Sequence, residues 1–183
     1  MTTLETELAK SHEQWRTLSL NDMLTVGYSR GPSAYRSVID QFNVERSSRY
    51  APRDGLTFCN IFVSDVTRAM IADIPHWVIG TTPATHKDDG ARELTANATI
   101  DLMPAWNWLA CTEAEAVQHA NLGQPTVAAW KNIAGPGHIA MVVPSESNQV
   151  VVAQAGLICN SRIPLSVGFG SKRVKDVRYY WHP

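Results

Sequence analysis

The chain is short of the features that most easily classify a small protein. It has three cysteines in 183 residues, Cys59, Cys111 and Cys159, an odd number with no close spacing. That pattern excludes a disulfide-built scaffold, and the lack of a CxxC pair excludes a structural zinc module. Neither sign of charge dominates: 16 Lys and Arg against 17 Asp and Glu leave a formal charge of −1. No global field therefore favours nucleic acid or an anionic membrane, and the densest basic group, Lys172, Arg173 and Lys175, reads as a solvated edge. There is no apolar run of about 18 residues, so no membrane span is expected. Residues 1–8 lack the basic start and apolar stretch of a secretory signal, so synthesis in the cytoplasm without a signal peptide is expected. The six histidines show neither HxH nor HxxxH spacing. No metal or other cofactor is expected.

The chain does have an ordinary globular share of apolar residues, 44%, in a length suited to one domain over residues 1–183. Residues 1–50 read as a helical and irregular extension packed on it. Leu4, Leu8, Trp15 and Leu18 recur at helical spacing near the start. Gly31-Pro32 and Pro52 break up the next stretch, leaving room for a short helix over Tyr35–Phe42. Thr57 then reads as an N-cap for a helix on which Phe58, Phe62, Val66, Ala69 and Met70 keep a 3.6-residue period, with an expected stop near Ile74-Pro75. Residues 79–90 are polar and read as a loop. A second helix is expected over 91–103, and Thr112 with Glu115 forms a capping box for a third that ends at Asn121-Leu122-Gly123. After that the period changes to two. Strands are expected at 126–130, 138–143, 149–153 and 174–181, with residues 144–148 turning the middle two into a hairpin. Helices first and an antiparallel sheet second predict an α+β fold.

Two residues suggest chemistry. Cys59 falls in the first turn of an apolar helix, where the helix dipole and free amides favour a thiolate and can hold an oxyanion. His138 opens a strand directly after Gly135-Pro136-Gly137, a segment that leaves room for substrate beside the ring. A thiol and an imidazole are the working pair of a nucleophilic catalyst. A third polar group usually orients the imidazole. Gln154 leads for that role, because the hairpin returns it toward His138; Asn160 competes and Asp101 is more remote. The competing reading of Cys59 is a small buried core residue, and Cys111 and Cys159 read that way.

The segments Thr57-Phe58-Cys59-Asn60-Ile61-Phe62-Val63-Ser64-Asp65-Val66, Ala129-Trp130-Lys131-Asn132 and Gly137-His138-Ile139-Ala140 together resemble the CHAP and NlpC/P60 branch of the papain-like proteins, over about residues 50–156. Within that branch they are similar to small single-domain phage endolysins and secreted bacterial amidases. The resemblance implies a papain-like fold and a peptidoglycan amidase or endopeptidase, with Cys59 as nucleophile, His138 as base and acid, and Gln154 as the orienting residue. It departs at the nucleophile, where Phe58-Cys59-Asn60 replaces the usual Asp-Cys-Ser-Gly. It further implies a groove for stem peptide or glycan, for which Trp106 and Trp108 are candidates, and a substrate-binding or oxyanion role for Tyr50. Packing is the alternative for all three. The expected partner is peptidoglycan, reached in the periplasm or wall after holin-dependent release or export by a secretion system. A cysteine peptidase or deamidase acting on proteins, and a non-catalytic papain-like binding module, are the two competing functions.

Overall fold

Residues 17–26, 30–84, 90–147 and 149–183 are described by the computed structural model. The helix expected near the start lies outside them, except for Leu18, which is buried. The elements run α1 (Pro32–Asp40), α2 (Cys59–Ala69), β1 (Trp77–Ile79), β2 (Thr82–Ala84), β3 (Arg92–Glu93), α3 (Ala96–Leu102), β4 (Leu109–Cys111) and α4 (Glu113–Asn121). They continue with β5 (Thr126–Trp130), β6 (His138–Val142), β7 (Val151–Ala155), β8 (Cys159–Pro164), α5 (Leu165–Phe169) and β9 (Arg178–Trp181). Six strands make one antiparallel sheet in the order β4-β9-β5-β6-β7-β8, and β2-β1-β3 make a second, small one. The fold is α+β, with most helices ahead of the central strands.

Helix α2 is the centre of the molecule. Ile61, Phe62, Val63, Val66 and Ala69 are buried, but so are Ser64, Asp65 and Thr67, so every face of the helix is covered. It lies across β6 and β7. The central strands carry Ala128, Ala129, Ala140, Ala153 and Ala155, all buried. Burial of each larger apolar side chain in this layer contributes about 1.5–3 kcal/mol. The buried polar groups are matched. Arg49 donates to Asp65 from Nε at 2.7 Å and from Nη2 at 3.1 Å, and the Tyr50 hydroxyl donates to the same carboxylate at 2.8 Å. Thr67 Oγ1 donates to the Val63 carbonyl and accepts from the Ile74 amide.

Both ends of α2 depart from expectation. Its N-cap is Phe58, not Thr57, and no side chain caps it. At the other end the helix stops at Ala69, short of Ile74. Met70 is the C-cap, Ile71 takes the left-handed conformation at φ 57°, and the amides of Ile71 and Ala72 bond back to Arg68 and Thr67. These are the two bonds of a Schellman motif, which ordinarily has glycine where Ile71 stands. Without that glycine the stop signal is missing from the local sequence.

Elsewhere, residues expected as a loop after Ile79 include the β1–β2 hairpin, and the helix expected from Ala91 is preceded by β3 and begins at Ala96. The strand expected from Val174 is a 3-10 turn, Val174–Asp176, followed by β9. β4 and β8 were not anticipated as strands, nor was α5 as a helix. The capping box of α4 forms as expected, from Thr112 and Glu115. Gly123 follows that helix at φ 80°, and a Cβ there would lie 2.3 Å from the Gly31 amide nitrogen, so backbone conformation and close approach both require glycine.

Candidate functional site

Cys59 is the first residue of α2, and His138 is the first residue of β6. Since α2 crosses β6, the helix start and the strand start meet, and the thiol and imidazole come close enough to shift each other's pKa. The absent side-chain cap at Phe58 now matters. The first amides of a helix have no intrahelical acceptor, and here no side chain occupies them. The Asn60 amide and the Ile139 amide of β6 both favour the anionic form of the Cys59 sulfur.

Gln154, on β7, accepts from His138 Nε2 at its Oε1, 2.7 Å away. The orientation of that amide is settled by its other end: Gln154 Nε2 donates to the Ile158 carbonyl at 3.0 Å, and a carbonyl can only accept. Oε1 therefore faces the imidazole and requires a proton on His138 Nε2. Nδ1 is the nitrogen left for sulfur. In the neutral ring it carries the lone pair that a general base needs; in the imidazolium it is a donor to thiolate.

Electrostatics favour the charged pair. Burial pushes the Cys59 thiol up, but the hydrogen bond and charge of His138, aided by the Ile139 and Asn60 amides, bring it below its ordinary value. Burial likewise pushes His138 down, yet bonding and charge from Cys59, with the Gln154 oxygen, hold it above its ordinary value despite Arg173 nearby. The other two thiols go the opposite way. Burial, then Glu115, raise Cys111 to about 11, and burial, then Glu45, raise Cys159. All three cysteines are free, and Cys59 is the one whose surroundings lower its pKa.

Helix α5 completes the imidazole pocket. The Phe169 ring meets His138 edge to face, with centroids 4.7 Å apart. A Cβ on Gly168 would lie 2.7 Å from Gln154 Oε1. A Cβ on Gly156 would lie 3.3 Å from His138 Cε1 and 3.2 Å from Gln154 Nε2. Both glycines leave space for the side chains that hold the ring.

A cleft of about 640 Å³ opens at Cys59. One wall is Gly55 to Asn60, the second runs from Glu93 to Asn97, and the third is Gly135 to Gly137. Asn60 Nδ2 donates to the Leu94 carbonyl at 2.8 Å, tying the first two walls together. Asn97 ties in the third: Nδ2 donates to the carbonyls of Asn132 and Gly135, and Oδ1 accepts from the Asn132 amide. A Cβ on Gly137 would lie 2.2 Å from Asn97 Oδ1, so the loop before His138 can be this close only with glycine there.

The structure thus brings Cys59, His138 and Gln154 together. It does not bring Tyr50, Trp106 or Trp108 to the cleft. Tyr50 is fully buried among Phe42 and Phe62, with its hydroxyl on Asp65. Trp108 is buried against His182, and Trp106 donates from Nε1 to the Thr81 carbonyl. Asn160 sits opposite Gln154 in the β7–β8 pairing, and its oxygen accepts from the Arg162 amide; Asp101 pairs with Lys131. Neither touches the imidazole. Asn97, Gly156, Gly168 and Phe169 were not singled out from the sequence. Only Gly156, directly after β7 and two residues beyond Gln154, carried a local signal of close approach.

Among the described residues no group of three or more His, Cys, Asp or Glu is placed to hold a metal, and no helix is long and apolar enough to cross a membrane. No protein-family model matches the chain, and a search of curated proteins finds no match.

Proposed function

We propose that this protein is a papain-like cysteine hydrolase that cleaves an amide or peptide bond of bacterial peptidoglycan. The observation that carries the reading is the Cys59–His138–Gln154 chain, in which sulfur, imidazole and amide oxygen follow one another at a helix start. The Cys59 thiolate attacks the carbonyl carbon of the scissile amide, and the oxyanion is held by amides of the uncapped helix start, the Cys59 amide first among them. As the C–N bond breaks, His138 Nδ1 delivers its proton to the leaving amine, and a thioester remains. Water then attacks the thioester with His138 as base. The acid departs and the thiolate–imidazolium pair is restored. Gln154 keeps the proton on Nε2 throughout, so each transfer runs through Nδ1.

The choice of peptidoglycan rests on the motif resemblance around Cys59 and His138, together with a cleft open enough for a branched peptide. The test is incubation of purified sacculi with wild type and with Cys59→Ala, followed by mass spectrometry of released fragments. Release by wild type alone is expected, and the fragment masses name the bond. If folded wild type releases nothing while Cys59 still alkylates rapidly, the wall reading fails and a protein substrate replaces it.

A further inference from the structure

The densest basic group of the sequence, Lys172, Arg173 and Lys175, follows closely after α5, and Arg173 within it is anchored. Its amide bonds back to the Gly170 carbonyl. Its guanidinium carbon lies over the Trp130 ring, 4.7 Å from the centroid, and Nη1 donates to the Phe169 carbonyl at 3.3 Å. Both partners are neighbours of His138. Trp130 stands directly opposite His138 in the β5–β6 pairing, so the two side chains leave the same face of the sheet side by side. The Phe169 ring meets the imidazole edge to face. The charge of Arg173 is felt at His138, where it opposes the imidazolium. Stacking and one hydrogen bond hold the guanidinium, and they leave Nε and Nη2 without a partner among the described residues. Arg173 is exposed, and no carboxylate among the described residues pairs with it.

We propose that Arg173 is a specificity-determining residue, and that its guanidinium receives a carboxylate carried by the amino acid on the leaving side of the scissile amide. The inference rests on the reading of Cys59 as nucleophile and His138 as acid, and adds the chemical class of what they cleave. The leaving nitrogen must come to His138 to take its proton, so a group that flanks the imidazole meets the residue to which that nitrogen belongs. A stacked guanidinium keeps its in-plane N–H groups for a carboxylate, in a two-pronged geometry that an ammonium does not reproduce. Trp130 and the Phe169 carbonyl orient the group before substrate arrives, which lowers the ordering cost of binding. Lys172 and Lys175, both exposed, add charge of the same sign nearby. The carboxylate can be a free C-terminus, or an α-carboxylate left free where the peptide runs on through a side chain. The two share one chemistry and differ in position.

Two experiments test this, and the first does not depend on the natural substrate. Cys59 is modified with anionic 2-sulfonatoethyl, neutral methyl and cationic 2-aminoethyl methanethiosulfonates. In each case the thiolate forms a disulfide with the reagent's sulfenyl sulfur, and methanesulfinate leaves with the electron pair. Rates are read at the Cys59 peptide by mass spectrometry, which keeps Cys111 and Cys159 out of the measurement. The ratio of anionic to cationic rate is expected to fall about fivefold in Arg173→Gln, the order of effect of one nearby unit charge on reagents of opposite sign. It should stay near wild type in Arg173→Lys, and in Lys175→Gln, which removes an equal charge from the same turn. An Arg173→Gln ratio within twofold of wild type overturns the proposal, as does an equal fall in Lys175→Gln. The first includes a variant whose three rates all fall together, since a damaged site lowers them without changing the ratio. The second experiment compares KM and kcat for synthetic stem peptides whose leaving residue bears a free C-terminal carboxylate or a free α-carboxylate beside a side-chain link, each against its amide. Amidation at the relevant position should raise KM about tenfold in wild type, the worth of a hydrogen bond to a charged group, and have little effect in Arg173→Gln. The position that responds identifies the source of the carboxylate. Equal KM for acid and amide at both positions overturns the proposal. If sacculi and peptides are not cut at all, the wall-hydrolase reading fails, and the reagent ratios alone decide the role of Arg173.

Discussion

Gly168 lies outside the cleft, on α5, yet Gly168→Ala should impair the site as much as a change in the site itself. The added Cβ would lie 2.7 Å from Gln154 Oε1, 3.0 Å from Val152 Cγ2 and 3.3 Å from Gln154 Cδ. The position is helical, so alanine suits the backbone, and the cost comes from overlap. Val152 is on a central strand and cannot yield, so the Gln154 amide must move. Moving it breaks the 2.7 Å bond to His138 and strains the 3.0 Å bond to the Ile158 carbonyl. A hydrogen bond to a charged group is worth about 1.5–3 kcal/mol. At 1.36 kcal/mol per tenfold in rate, kcat should fall about 10- to 150-fold. Overpacking should lower stability by about 1–3 kcal/mol. The assay is dye release from labelled sacculi, run beside the rate of Cys59 alkylation by iodoacetamide, with a thermal melt to show folding. The deciding arm is the double variant. In Gln154→Ala the overlap with the amide is gone and only the 3.0 Å contact with Val152 Cγ2 remains, so Gly168→Ala should cost little further in kcat. If its penalty is as large in that background, or if Gln154→Ala alone stays within twofold of wild type, the assignment of Gln154 as orienting residue is wrong.

Other outcomes follow from the same geometry. Because His138 holds the Cys59 thiol below its ordinary value, alkylation of Cys59 should already be fast at a pH where free thiols, near 8.5, are mostly protonated. In His138→Ala only the Ile139 and Asn60 amides still oppose burial, so the inflection of the alkylation–pH curve should move to higher pH; an unmoved curve would refute the ion pair. Asp65→Ala removes the carboxylate paired with the buried Arg49 guanidinium and should cost about 3–5 kcal/mol in urea unfolding. Tyr50→Phe, which removes one donor to the same carboxylate, should cost about 1–2 kcal/mol while leaving kcat per folded molecule unchanged, against any oxyanion role. Ile71→Gly should raise stability by about 1 kcal/mol, since the residue is strained at φ 57° and exposed; a lower melting temperature would contradict that account.

What the sequence determined by itself is the part of the protein set by neighbours along the chain. The α4 capping box, strand β5 at Thr126–Trp130, the β6–β7 hairpin and the placement of Cys59 and His138 at the starts of their elements depend on local pattern and turn chemistry. Gln154 was legible for the same reason, because a short hairpin brings a residue on its second strand back toward the start of its first. The end of α2 was not legible, since tertiary packing holds Ile71 in a conformation that local propensity opposes. Tyr50, Trp106 and Trp108 show the same limit. Aromatic composition does not reveal whether a ring faces a cleft or the core, and burial against Phe42, Phe62 and His182 decided two of the three. The rest of the site depends on contacts between distant segments: α5 against His138 and Gln154, Asn97 against the loop before β6, and Glu93 braced by His76 at the cleft wall. Such contacts form only after the sheet has brought remote segments together. The meeting of the Cys59 thiol, the His138 imidazole and the Gln154 amide was therefore readable in advance, but the residues that pack around them and shape the cleft were decided by the fold.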